Sequence, residues 1–179
     1  MEKIDNFVKL YLDWNRSPEK LMKAFQILGF YVPSIAFPGY VIFIFLDTMK
    51  YRESIEILLG LIFLVIWTFM IIRIGWNRGY KFLEIVRGKK YFVIPAVADW
   101  IKFFGECVAV TLFLFPIILL ADLINGGYGP TYEYGIFTLI IYPLFGYFLL
   151  LFSNFFAESL TALVDIANNT NEMVKKSSK

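Results

Sequence analysis

A chain of 179 residues that is 59% hydrophobic and only 18% charged is too apolar for a water-soluble domain of this size. Its net charge of +2 gives no basic stripe, so we expect no nucleic-acid partner. It has one cysteine and no histidine, so the usual metal ligands and the commonest general base are missing. We therefore expect no cofactor, no metal site and no enzymatic activity.

The first 23 residues precede the apolar part of the chain. Ile4, Phe7, Val8 and Tyr11 recur there at helical spacing, and charged residues occupy other positions. This pattern predicts an amphipathic helix that lies on the membrane surface.

Four apolar runs follow, and we predict membrane spans at about residues 24–46, 55–73, 102–124 and 134–157. The first and fourth runs can cross a hydrocarbon layer of about 30 Å at about 1.5 Å per residue. The second and third contain shorter uncharged stretches, residues 57–72 and 107–121. An ionisable side chain must therefore approach the hydrocarbon edge in these two helices.

The segments between the spans differ in cationic charge. Lys and Arg number 5 before the first span, 2 at residues 47–54, 7 at residues 73–102, none at residues 122–133 and 3 after the fourth span. The positive-inside rule then places residues 1–23, 74–101 and 158–179 in the cytoplasm, with both termini. The prediction is one all-α, polytopic membrane domain, residues 1–179, with four transmembrane helices and interfacial amphipathic helices at the N-terminus, in the central cytoplasmic loop and at the C-terminus.

The central basic segment mixes cations with aromatic residues, as expected at the level of lipid headgroups. We predict a short helix there, at residues 80–86. One interpretation is that the segment binds anionic lipids, and the other is that its charge only determines topology. The candidate lipid-binding residues are Arg78, Lys81, Arg87, Lys89 and Lys90.

A second set of charged residues is predicted near the cytoplasmic ends of the spans. Asp99, Lys102 and Glu106 share one helical face at i, i+3 and i+7, so Glu106 can reach Lys102. Glu158 is expected at a similar depth in the antiparallel fourth helix, with Arg73 as an additional countercharge. These residues could form a proton or cation gate, or a salt-bridge network that fixes the register of the helices.

Four prolines occur within the spans, and each removes a backbone hydrogen bond and frees the carbonyl four residues earlier. They predict helix kinks, or an unwound stretch that lines a cavity. The prolines are Pro33, Pro38, Pro116 and Pro143, and the freed carbonyls belong to Gly29, Ser34, Leu112 and Leu139.

An apolar stripe continues past the fourth span and predicts that the last helix extends beyond the membrane. Residues 158–172 resemble the closing segment of a bacterial family of small helical membrane proteins, domain of unknown function 4282. Glu158, Asn169 and Thr170 match that family. Two arginines usual in the family, one before the glutamate and one near Asp165, are not present here. The resemblance implies a bacterial inner-membrane protein and carries no activity.

The central stretches of the spans contain no charged residue, which argues against a dedicated transporter. We therefore expect a non-enzymatic membrane protein that forms homo-oligomers and serves as a subunit of a membrane complex, with pore or ion-channel activity a possibility. The alternative is an anchor or scaffold for a cytoplasmic protein, without conductance. An intramembrane enzyme would need catalytic residues that the sequence lacks.

Overall fold

A computed structural model describes residues 18–49, 54–86, 93–124 and 136–177, and these residues are helical throughout. The N-terminal helix consists of α1 (Pro18–Gln26), a π-helical segment (Ile27–Tyr31) and α2 (Val32–Thr48), which follow one another without a break. The other helices are α3 (Ser54–Val86), α4 (Val93–Ile124) and α5 (Ile136–Ser177). The predicted all-α fold class is confirmed.

Four helices are long and apolar enough to cross a membrane, over Lys20–Thr48, Ser54–Glu84, Val93–Leu120 and Phe137–Ala167. Neighbours in sequence are antiparallel. Trp67 and Arg78 of α3 contact Thr111 and Asp99 of α4, so the later position on α3 meets the earlier position on α4. The start of α1, the end of α3, the start of α4 and the end of α5 consequently lie at one end of the molecule, which we call the charged end.

The helices form an open row and not a closed bundle. The most extensive contact is between α4 and α5, followed by that between α3 and α4, and the N-terminal helix packs on α3. Within the described residues, α5 makes no extensive contact with any helix except α4. The two outer helices of the row therefore keep broad faces that no other part of the described chain covers.

Helices α3, α4 and α5 contain 33, 32 and 42 residues, about 50, 48 and 63 Å at 1.5 Å per residue. A hydrocarbon layer of about 30 Å covers only part of each helix. Most charged residues of these three helices lie at the charged end. Residues 80–86, predicted as a separate interfacial helix, are the end of α3 itself, and the C-terminal extension continues α5 as expected.

Two groups of buried side chains form the core. Phe30, Phe82, Ala96 and Phe103 pack together near the charged end. The other group lies towards the middle of α3 and consists of Phe63, Leu64, Trp67 and Ile71.

Some predicted features lie outside the described residues, namely the amphipathic helix before Pro18 and the lipid-binding candidates Arg87, Lys89 and Lys90. Of the prolines, Pro33 is the second residue of α2, just after the π-helix. The other three lie inside helices that continue past them; they are Pro38, Pro116 and Pro143.

Candidate functional site at the charged end

Five charged side chains from three helices meet near the charged end and form what we call the charge cluster. Arg78 comes from α3 and Glu158 from α5. The other three come from α4, where their spacing places them on one face; they are Asp99, Lys102 and Glu106. The sequence analysis expected Glu106 to reach Lys102 and Glu158 to lie at a similar depth; in the structure Lys102 pairs with Glu158, and Glu106 is bound by Arg78.

Arg78 lies at the centre of this cluster. Its Nε donates to Glu106 Oε2 at 3.0 Å, and its Nη2 donates to Glu106 Oε1, so the guanidinium and the carboxylate form a two-bond fork. The Nη1 atom donates to Asp99 Oδ1 at 3.1 Å. A guanidinium held by two carboxylates from the next helix fixes both the rotation and the register of α3 against α4.

Asp99 is the most deeply buried member of the cluster, with only 4% of its side chain exposed. Its second oxygen, Oδ2, is buried without a hydrogen-bond partner among the described residues. A buried carboxylate depends strongly on the cation that it does reach. Arg78 is therefore the main source of stabilisation for the Asp99 charge.

Lys102 and Glu158 form the second ion pair, with Nζ and Oε1 3.3 Å apart. The side chain of Glu158 is 72% exposed, whereas that of Lys102 is 23% exposed. Exposed pairs of this kind contribute little to stability because water and salt screen them. The cluster therefore combines one largely buried fork with one exposed pair.

Arg73, which the sequence suggested as the countercharge, occupies a different place. It lies five residues before Arg78 on α3, and its side chain is exposed. It lines a cavity of about 400 Å³ together with Arg78, Lys81 and Glu106. Arg78, which the sequence suggested as a lipid ligand, instead binds Glu106 and Asp99.

The depth of the cluster follows from the helix lengths. At about 1.5 Å per residue, Glu106 lies about 27 Å from the end of α4 at Ile124, and Arg73 lies about 29 Å from the start of α3 at Ser54. Both distances are slightly shorter than the thickness of a hydrocarbon core, about 30 Å. Arg78 and Asp99 lie at about 36 to 38 Å, beyond its edge. Glu106 is therefore the member of the charge cluster nearest the apolar middle of the helices, and Arg78 and Asp99 lie closer to the charged end.

The N-terminal helix supports this end of α3 through small residues and polar contacts. Gly75 faces Ser34 so closely that a methyl group would overlap the Ser34 hydroxyl, and a methyl group on Gly79 would overlap the Tyr31 ring. Gln26 Nε2 donates to the Gly79 carbonyl at 2.7 Å. The sequence signal for this contact is a Gly-x-x-x-Gly pair, which allows the close approach of two membrane helices.

One of the carbonyls that a proline was expected to free has a new partner. The Gly29 carbonyl lies in the π-helix, four residues before Pro33, and it accepts a hydrogen bond from Trp100 Nε1 at 2.9 Å. Because Trp100 neighbours Asp99, this bond ties the N-terminal helix to the same stretch of α4 that binds Arg78. The sequence indicated that the carbonyl would be free but gave no sign of its donor.

The chemistry open to the cluster is limited by its ligand types. Among the described residues, no group of three carboxylate, cysteine or histidine side chains could hold a metal ion. A second cavity of about 420 Å³ lies on the other side of Arg78, lined by Asp99, Lys102 and Glu158. The residues present can hold charge and fix helix positions, and Arg78 lines both cavities.

The chain matches no family model, no curated protein and no solved structure. The resemblance of residues 158–172 to the bacterial family stays a prediction.

Proposed function

We propose that this protein is a non-enzymatic subunit of a bacterial inner-membrane complex, with both termini in the cytoplasm, and that it associates with further copies of itself through α5. The observation that carries the proposal is an exposed apolar stripe that continues along α5 as far as Met173. The stripe is present in the described residues, and the self-association of the protein and its location in the cell are what we propose.

The stripe lies on the face of α5 opposite α4. Gly146, Ser153 and Ala157 are buried on the α4 side. At 100° per residue, a second set lies within about 80° of arc on the other side. It consists of the half-exposed or more exposed residues Phe148, Phe152, Leu163, Ile166 and Met173.

Lipid can cover the membrane part of this stripe but not its extension. Ile166 and Met173 lie about 45 and 55 Å from the start of α5, beyond a core of about 30 Å and its headgroup layer. Their side chains are 62% and 66% exposed. Exposed apolar residues at this distance from the hydrocarbon indicate a protein contact.

A second copy of the same chain fits this contact. Leu163, Ile166, Thr170 and Met173 are spaced 3, 4 and 3 residues apart, as along the seam of a coiled coil. Copies in one membrane share one orientation, so their α5 extensions emerge side by side and parallel. The membrane therefore aligns the stripes before they meet, which reduces the entropy lost on association.

The test compares two glutamate variants in lipid bilayers, with the number of chains per complex counted by single-molecule photobleaching. Ile166→Glu places a charge in the stripe and should shift the protein to single copies, with an apparent dissociation constant raised at least about tenfold. Asn169→Glu places the same charge at an exposed position beside the stripe and should leave the number unchanged. A wild-type protein that is monomeric at high density, or an unchanged Ile166→Glu variant, would contradict self-association.

A pore is the second candidate, supported by the two cavities that meet at Arg78. In this hypothesis, loss of the Arg78 fork joins the two cavities and opens a path for ions at the charged end. Ion flux into liposomes that contain the purified oligomer tests this function. Flux that rises in Glu106→Gln favours a gated pore, whereas impermeable vesicles for both proteins favour a subunit or scaffold without conductance.

A further inference from the structure

The end of α3 carries two parallel stripes of different character. Arg73, Asn77 and Lys81 recur every four residues and therefore follow one line along the helix. Ile72, Trp76 and Tyr80 also recur every four residues and follow the neighbouring line. All six side chains are exposed.

Each stripe borders its own concavity. The cationic stripe lines the cavity of about 400 Å³ that reaches Glu106 on α4. The aromatic stripe lines an adjoining groove of about 550 Å³, which begins at Phe69. Arg73 and Asn77 belong to both, so the polar cavity and the apolar groove meet along these two side chains.

The polar cavity has an excess of positive charge. Three cations, Arg73, Arg78 and Lys81, face one carboxylate, Glu106, which leaves a net charge of +2. Glu106 is already bound by Arg78. Neither Arg73 nor Lys81 forms an ion pair with another residue in the described part of the chain. Two cations beside a cavity therefore remain available for an anion.

The stripes lie at the depth where lipid phosphates occur. Arg73 and Lys81 are about 28 and 40 Å from the start of α3, on either side of the edge of a core of about 30 Å. Trp76 and Tyr80 are of the two residue types that are enriched at the interface between membrane and water. Trp76 is also held in place, since its ring stacks on Tyr31 with centroids 4.9 Å apart.

We propose that this surface is a binding site for one anionic glycerophospholipid. Arg73, Asn77 and Lys81 bind its phosphate and anionic headgroup in the polar cavity, and one acyl chain lies along Ile72, Trp76 and Phe69 in the groove. The charge excess selects an anionic over a zwitterionic lipid, and the groove selects a lipid over free phosphate. This site differs from the set of lipid-binding residues predicted from the sequence, because Arg78 binds Glu106 and does not bind the headgroup.

The test measures lipid retained by detergent-purified protein in native mass spectrometry, during titration with phosphatidylglycerol or phosphatidylcholine. Wild type should retain one phosphatidylglycerol in clear preference to phosphatidylcholine. The double variant Arg73→Gln, Lys81→Gln should bind phosphatidylglycerol about 30-fold more weakly, since each cation near an anionic headgroup is worth about a factor of five. The control Lys23→Gln removes a cation from the same end of the molecule, on α1, and should bind like wild type.

Further arms of the experiment separate a lipid from a free anion. Trp76→Ala should weaken phosphatidylglycerol binding several-fold, and inorganic phosphate at millimolar concentration should not displace the lipid. Equal retention of the two lipids, or unchanged binding in the double variant, would overturn the site. Full displacement by inorganic phosphate together with an unaffected Trp76→Ala variant would overturn the lipid assignment in favour of a phosphate site.

Discussion

Helices α3 and α4 are held together by different interactions at the charged end and in the middle of their length. At the charged end, α3 and α4 are joined by the Arg78 fork and by the bond from Arg78 to Asp99. In the middle, the same two helices are joined by a side-chain hydrogen bond from Trp67 Nε1 to Thr111 Oγ1 at 2.9 Å, and they mainly pack apolar side chains against each other.

The difference follows from the surroundings of each region. In the hydrocarbon, lipid tails are as apolar as leucine, so burial of apolar side chains between helices gains little free energy. The strength of helix association there depends on how closely the side chains pack. At the edge of the membrane, a charge can be placed without the full penalty of the bilayer centre, and paired charges then specify one arrangement. We infer that the ion pairs at the charged end set the register of α3 and α4, and that the apolar packing in the middle is compatible with this register.

The largest expected effect comes from removing the cation of the fork. Arg78→Gln should lower the free energy of unfolding by about 3 kcal/mol, because Glu106 and Asp99 remain largely buried without their countercharge. Denaturant unfolding of the purified protein in micelles measures the change. Arg73→Gln is the matched control, and it should change stability by less than about 0.5 kcal/mol because Arg73 is exposed.

If Arg78→Gln does not fold, a compensated variant keeps the test open. Arg78→Met combined with Asp99→Asn and Glu106→Gln removes the charges together and should recover much of the lost stability. Equal destabilisation by Arg78→Gln and Arg73→Gln would show that the fork does not dominate this end.

The next effect concerns the small-residue contact that positions α3 on the N-terminal helix. Gly75→Ala should destabilise by about 1 to 3 kcal/mol, because the added methyl group would overlap the Ser34 hydroxyl and approach the Phe30 carbonyl to 3.1 Å. Gly39→Ala is the control, since nothing lies within 4 Å of its Cβ position. Alanine there should leave stability unchanged or raise it by up to about 1 kcal/mol. If Gly39→Ala were as destabilising as Gly75→Ala, the cost would come from replacing a helical glycine and not from the contact between Gly75 and Ser34.

A smaller effect is expected in the middle of the row. Thr111→Val should cost about 1 kcal/mol, because Trp67 Nε1 loses its acceptor in an apolar setting. Thr68→Val makes the same chemical change one residue after Trp67, where the hydroxyl is buried and has no hydrogen-bond partner among the described residues. It should be neutral or stabilising. Unfolding midpoints of the two variants that fall together would refute a specific role for the Trp67 bond.

The sequence predicted the order of the helices well because hydropathy and charge report directly on the membrane. The four spans are confirmed as long apolar helices. Hydropathy does not report where a helix ends, however. Hydropathy falls after Arg73, whereas α3 remains helical to Val86. The separate short helix predicted at residues 80–86 followed from this difference.

The choice of cation in the cluster could not be predicted from the sequence. Arg73 and Arg78 are five residues apart, which corresponds to a rotation of about 140° around the helix. Which of them binds Glu106 depends on how α3 is rotated, and the close contact of Gly75 and Gly79 with the N-terminal helix acts together with the Arg78 fork to set that rotation. The spacing of Asp99, Lys102 and Glu106 was readable because it lies within one helix, whereas their partners depend on packing between helices.

The smallest effect is expected for the exposed pair of the charge cluster. Lys102→Gln should change the free energy of unfolding by less than about 0.5 kcal/mol, because Glu158 is 72% exposed and can be solvated without its partner. Whatever contribution the pair makes should vanish at 1 M salt, where the screening length is about 3 Å. The Arg78 fork, with Asp99 only 4% exposed, should keep most of its contribution under the same conditions. Unfolding measured at low and high salt for Lys102→Gln and Arg78→Gln therefore compares the two ion pairs within one cluster. If salt weakened both equally, the fork would be as solvated as the exposed pair, and it could not be what fixes the register of α3 against α4.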